Sequence, residues 1–185
     1  MAIAPSLSVK PVNVEKWLVE ALTSKLSLVF NLRVRVESGL SLSDLLDFYD
    51  ESRDQVKADL LLEYLSQVLA TQALCLVLVD ADAYVEGLNF VFGVAKWGWG
   101  GIVFVARLKP EFYGMSPNYS LLTLRLIKES FHELGHALGL GHCGNSRCVM
   151  RFSNSIYDVD SKSPYYCPRC RREIELRYPG VLRIM

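Results

Sequence analysis

The sequence predicts an α/β domain in three layers: a mixed, twisted sheet between helices, followed by a small C-terminal part. Three observations predict it. Apolar runs of period two alternate with stretches of helical period through the first 140 or so residues. All three histidines of the 185-residue chain fall within eleven positions, the first two of them four apart on a helical stretch. Four of the five cysteines follow them, in two close pairs, within a tail of little periodicity. Residues 1–142 are expected to form the larger N-terminal subdomain and 143–185 the smaller C-terminal one, together one compact unit.

The elements are expected in this order. A short strand lies near residues 3–9, then a helix from Val14 to about Lys25. From Leu28 to Val36 the apolar residues Leu28, Phe30, Leu32, Val34 and Val36 alternate with Asn31, Arg33 and Arg35, which predicts a strand. Arg53 to Leu69 has helical spacing, with Val56, Leu60, Leu61, Tyr64, Leu65 and Val68 on one side. Ser52 and Gln55 have capping-box spacing at its start. Leu74–Val79 is apolar throughout, as suits a strand covered on both faces. Phe90–Ala95 and Ile102–Ala106 predict two more strands, turned on the glycine-rich segment between Lys96 and Gly101, with Phe90–Ala95 at the sheet edge. A buried helix capped by Asn118 or Ser120 then runs through Phe131 into the histidines.

At 51% hydrophobic residues the chain can fill a real core. No run of eighteen apolar residues predicts a membrane span. The first residues lack the pattern of a secretory signal, so the expected location is cytoplasmic. Twenty basic and twenty acidic residues cancel, which gives no indication of a nucleic-acid partner. Arg169, Arg171, Arg172 and Arg177 read as a solvated face, and a monomer is expected.

The histidines stand as His132-Glu133-Leu134-Gly135-His136 and then His142, the pattern H-E-x-x-H-x-x-G-x-x-H. Four residues apart on a helix, His132 and His136 share a face one turn apart and can converge on one cation. Leu134, Ala137 and Leu138 are free to turn into the core. A continuing helix would carry His142 to about 240° from His136. The chain must therefore stop, and Gly139 can take the left-handed conformation that ends a helix. Three neutral imidazoles leave a tetrahedral zinc one open position, the catalytic kind of site. Glu133 projects beside the metal, where it can accept a proton from water as a general base.

Cys143, Cys148, Cys167 and Cys170 form C-x4-C, eighteen intervening residues and C-x2-C, a spacing that suits a closed four-thiolate structural zinc. Two disulfides, a redox Cys167–Cys170 pair and an iron–sulfur cluster are the alternatives at this stage. Cys143 directly follows His142, so the two candidate sites are covalently adjacent. Cys75, flanked by leucines and valine, reads as a small buried hydrophobe.

With Met150 eight residues after His142, this constellation resembles the archaemetzincins, a branch of the metzincin zinc metallopeptidases. Phe48-Tyr49-Asp50, Arg53-Asp54-Gln55, Leu88 to Gly93 and Phe152 to Ser155 also look like segments of that family. The resemblance implies a metzincin-like fold with an active-site helix and two zinc ions per chain. His132, His136 and His142 would bind the catalytic zinc and Cys143, Cys148, Cys167 and Cys170 the structural one. Glu133 would be the general base and Met150 the methionine-turn support. The substrate would be a peptide or protein, laid along the edge strand and cut by glutamate-assisted attack of a zinc-bound water. The run between Met150 and Cys167 is sixteen residues, one shorter than the family pattern. None of Tyr157, Tyr165 and Tyr166 stands at a spacing that carries over a family role. The alternative function is a zinc-stabilised peptide-binding or scaffold protein with little turnover.

Overall fold

A computed structural model describes residues 6–69 and 73–183. A five-stranded sheet has the order β2-β1-β5-β8-β7. Its strands are β1 (Ser6–Val12), β2 (Arg33–Val36), β5 (Leu74–Val79), β7 (Gly93–Lys96) and β8 (Gly100–Phe104). All neighbours are parallel except β7 and β8, which form an antiparallel hairpin, so the sheet is mixed. Three short strands, β3 (Tyr49–Asp50), β4 (Gln55–Lys57) and β6 (Ala83–Tyr84), form a second sheet.

The layering follows from β5. Leu74, Leu76 and Leu78 join one apolar cluster with helices α1 (Lys16–Val29) and α3 (Tyr119–Ala137). Cys75, Val77 and Val79, pointing the other way, join a second cluster with α2 (Ala58–Val68). Successive side chains of a strand face opposite sides, so a strand with helices on both sides must be apolar throughout. The predicted three-layer architecture, with β7 at the sheet edge, is the one found.

Several expectations need correction. The first strand runs from Ser6 to Val12 because it pairs with β2 from Ser6 and with β5 from Leu7 to Val12; residues 3–5 of the expected range lie outside the described residues. Helix α1 continues to Val29, since Leu26 and Val29 extend the buried stripe of Leu18 and Leu22. The expected strand from Leu28 therefore shrinks to Arg33–Val36, Leu28 is exposed on the helix, and Phe30 makes an isolated bridge to Leu182.

The expected helix from Arg53 begins only at Ala58, because Gln55–Lys57 pair with β3 and β6. Ser52 and Gln55 form no capping box: the Ser52 hydroxyl donates to Asp50, and Gln55 lies in a strand. Helix α2 meets the sheet on one side, so Ala58, Leu61 and Leu65 are buried while Leu60, Tyr64 and Val68 are exposed. The hairpin strands are displaced by up to three residues, which leaves Phe90–Phe92 as a loop beside the sheet edge.

The tail contains two helices that periodicity did not reveal, α4 (Ile156–Ser161) and α5 (Pro168–Arg177). Each buries only two residues, too few to write an apolar stripe.

A candidate metal centre in an edge-strand cleft

Helix α3 begins as expected: the Asn118 side chain accepts from the Leu121 N–H at 2.9 Å. Leu134, Ala137 and Leu138 are buried. The helix ends at Gly139, whose φ of 85° is left-handed and whose N–H donates to the His136 carbonyl. The chain then turns back and carries His142 to the other two histidines.

The three imidazoles converge: their nearest ring nitrogens lie within 4.8 Å of one another. His132 Nδ1 is 2.9 Å from the Val149 carbonyl and His136 Nδ1 is 2.8 Å from the Leu140 carbonyl. A carbonyl only accepts, so both Nδ1 atoms carry the proton and both Nε2 atoms present lone pairs. Those two Nε2 atoms face each other at 3.1 Å. Two acceptors at that distance repel unless a cation lies between them. Bonds of about 2.0–2.1 Å to one tetrahedral ion bring nitrogens to nearly this spacing. Burial lowers the pKa of all three rings, most strongly at His132, where the Lys162 ammonium adds to the effect. The neutral ring is the ligand form. The residues therefore fit a metal.

Glu133 is buried beside them, against the β7–β8 hairpin. A Cβ on Gly93 would fall 2.5 Å from Glu133 Oε1, and one on Gly101 would fall 2.7 Å from Glu133 Cβ. The two glycines thus leave the room that the carboxylate occupies. Burial and the nearby Glu129 raise the Glu133 pKa well above the carboxylate range, and Lys162 opposes them. Glu129 lies one helical turn before Glu133 and pairs with the fully buried Lys162 at 2.8 Å.

The cysteines cluster as expected, with the four sulfurs of Cys143, Cys148, Cys167 and Cys170 within 4.8 Å of one another. None is disulfide-bonded. Cys143 and Cys167 sulfurs are 3.9 Å apart, Cys148 and Cys170 sulfurs 3.8 Å. Four thiolates at about 2.3 Å from one tetrahedral ion stand about 3.8 Å apart, so the geometry fits a single ion. Backbone N–H groups of Asn145 and Cys167 point at Cys143 and Cys148 sulfurs. Cys75 lies apart on β5, its thiol pushed up to about 12 by burial.

The segment between Cys148 and Met150 joins the two clusters. The Val149 carbonyl meets His132, while the Val149 N–H donates to the Tyr165 carbonyl. Cys143 N–H donates to the Met150 carbonyl at 2.9 Å. The Met150 side chain packs under the active helix at Gly135, where an added Cβ would fall 2.2 Å from its sulfur. Tyr166 is buried, stacks on Phe131 and donates to the Phe131 carbonyl at 2.6 Å, whereas Tyr157 is exposed.

A cleft of about 680 Å³ opens over the histidines. Edge strand β7 and the loop Leu88–Phe92 line one side, Phe152–Asn154 another, with Glu129 and Glu133 among its lining residues. Sequence reasoning missed Gly93, Gly101, Gly135, Glu129 and Lys162. Glycines within strand patterns are a usable sign of close backbone approach. A lone lysine in the aperiodic tail carries no such sign.

The family model described as peptidase family M54 matches residues 16–176. An archaemetzincin of Methanocaldococcus jannaschii is 46% identical over 130 residues, 70% of this chain and 71% of that relative. One of Thermococcus kodakarensis is 42% identical over 167 residues, 87% of this chain and 90% of that relative. The crystal structure of archaemetzincin from Archaeoglobus fulgidus, complexed with malonate, superposes with a TM-score of 0.79 at 36% identity, covering 91% of this chain and 99% of that one. That from Methanopyrus kandleri gives 0.77 at 32% identity, covering 93% and 94%. Sequence and fold agree along most of both partners, and this chain belongs to peptidase family M54, the archaemetzincin family of zinc metallopeptidases.

Proposed function

We propose that the chain hydrolyses peptide bonds in this cleft, with His132, His136 and His142 holding a catalytic zinc and Glu133 acting as general base. Cys143, Cys148, Cys167 and Cys170 would hold a second, structural zinc. The observation that carries the reading is the pair of converging Nε2 lone pairs beside a carboxylate for which Gly93 and Gly101 leave room. A zinc ion bound there supplies Lewis acidity, which polarises a carbonyl and eases deprotonation of water.

The remaining steps belong to the chain. Among the described residues strand β7 pairs only with β8, so its outer edge can receive an extended peptide backbone by strand addition. Glu133 accepts the proton of the attacking water and passes it to the leaving amine. Its burial favours the first of these roles, because a desolvated carboxylate binds a proton more strongly than an exposed one. Met150 and Tyr166 pack beneath Gly135 and keep the helix carrying both first histidines in place.

The test is Glu133→Ala assayed on a peptide library, with zinc measured on the same sample. Both zinc equivalents should remain, and turnover should fall by about 10²–10⁴-fold, the scale of a lost general base. Turnover at the wild-type rate would remove Glu133 from the mechanism. A wild-type protein that binds library peptides without cutting them would instead support a binding or scaffold role.

A further inference from the structure

Leu88 to Phe92 line the cleft as a loop between β6 and β7. Its far end is tied to the backbone: the Val91 N–H donates to the Ala83 carbonyl and the Phe92 carbonyl accepts from the Phe104 N–H, each at 2.9 Å. At its near end the side chains of Arg53 and Gln55 hold the Leu88 and Asn89 carbonyls. Gln55 Nε2 donates to the Asn89 carbonyl at 3.0 Å and to Asp82 Oδ2 at 3.0 Å. Arg53 Nη2 donates to the same Asn89 carbonyl at 3.0 Å and to the Leu88 carbonyl at 3.4 Å. Arg53 Nε donates to Gln55 Oε1 at 2.9 Å, which locks the two donors together. The Arg53 guanidinium also lies 3.8 Å over the Tyr84 ring, and the Tyr84 hydroxyl donates to Asp50.

The same network reaches the aromatic wall of the cleft. Asp82 takes two hydrogen bonds from Arg107, at 2.6 and 2.8 Å. The Arg107 guanidinium sits 4.3 Å from the Phe90 ring centroid, and Phe90 meets Phe92 edge to face at 5.2 Å. None of Arg53, Gln55, Asp82 and Arg107 lines the cleft itself. Gln55 is buried and makes three hydrogen bonds, which offset the cost of burying its amide and fix its side chain in place.

We propose that Arg53 and Gln55 are positioning residues for substrate binding: they clamp the Leu88–Asn89 backbone so that the rim of the cleft is already formed when a peptide arrives. The inference rests on the reading of the cleft as a peptide site. A rim that must first be ordered charges that ordering against binding and leaves the chemical step alone. Loss of the clamp therefore raises KM and spares kcat.

The test compares wild type, Gln55→Met and Arg53→Ala, with Arg53→Lys as the conservative variant. Arg53 is exposed, so its replacement leaves the core intact even where Gln55→Met does not fold. KM should rise by up to about tenfold, the scale of one lost hydrogen bond, with kcat within about twofold and zinc content unchanged. Amide hydrogen exchange should accelerate over residues 86–92 and not in α3, and Arg53→Lys should recover part of both effects. Unchanged exchange over 86–92 would overturn the clamp whatever the activity. So would a fall in kcat that follows a general loss of thermal stability. A wild type that cleaves no peptide, with the rim still loosened in the variants, would sink the catalytic reading and leave the clamp standing.

Discussion

His132 takes its orientation from Val149: the imidazole Nδ1 lies 2.9 Å from a carbonyl situated between Cys148 and Met150. Together with the Cys143 N–H bond to the Met150 carbonyl, this ties the histidine cluster to the cysteine cluster at two points. Partners that orient a metal ligand typically change affinity by about 10–100-fold when lost. If the two proposed zinc sites are coupled in this way, Cys148→Ser and Cys143→Ser should weaken zinc retention at the three histidines by a factor of that order, besides releasing the ion proposed at the cysteines. Chelator competition on the purified protein measures it. Loss of one equivalent with unchanged affinity for the other would mean that the sites are only neighbours.

Gly93→Ala tests whether the proposed role of Glu133 depends on its placement as well as on its presence. The new Cβ would fall 2.5 Å from Glu133 Oε1 and must displace the carboxylate. A shift near 1 Å costs about 10²-fold in a positioned reaction, so turnover should drop on that scale while zinc content stays at the wild-type level. Wild-type turnover in this variant would show that the Glu133 position is not critical.

The Lys162–Glu129 pair is buried on both sides. Removing one partner leaves the other charge without compensation, which costs about 3–5 kcal/mol. Lys162→Met should lose stability of this order in denaturant unfolding of the zinc-loaded protein. The double variant Lys162→Met with Glu129→Leu should regain most of it. If the double variant is as unstable as the sum of both single ones, the pair is not the source of the loss.

Asp50 should give the fold part of its acid sensitivity. Hydrogen bonds from Ser52 and Tyr84 lower its pKa from 3.8 to about 2. A depressed carboxylate contributes stability above its unfolded pKa and loses it as pH falls through the folded one. The stability difference between wild type and Asp50→Asn should accordingly be constant well above pH 3.8 and shrink towards pH 2. Unfolding curves taken at each pH, subtracted pairwise, cancel the effect of acid on the metal sites. Parallel curves through that window would exclude the contribution.

The parts of the site legible in the sequence are those written in local geometry. The four-residue step from His132 to His136, the helix stop at Gly139 and the Asn118 cap all depend on neighbours within a few positions. The apolar run of β5 was legible because both its faces are covered. Gln55 was misread because helical spacing from Val56 to Val68 masked a three-residue strand whose partners, Tyr49–Asp50 and Ala83–Tyr84, lie elsewhere in the chain.

By itself the sequence determined the donor types of the two candidate metal sites and the three-layer order, since both follow from residue type and period. Only the tertiary structure decided how Glu133 is lodged against Gly93 and Gly101, how Lys162 reaches Glu129, and how Arg53 and Gln55 grip the Asn89 carbonyl. These contacts join positions some thirty or more residues apart. Their energies depend on burial and on the approach of separate elements, and neither is encoded in any local stretch of the chain.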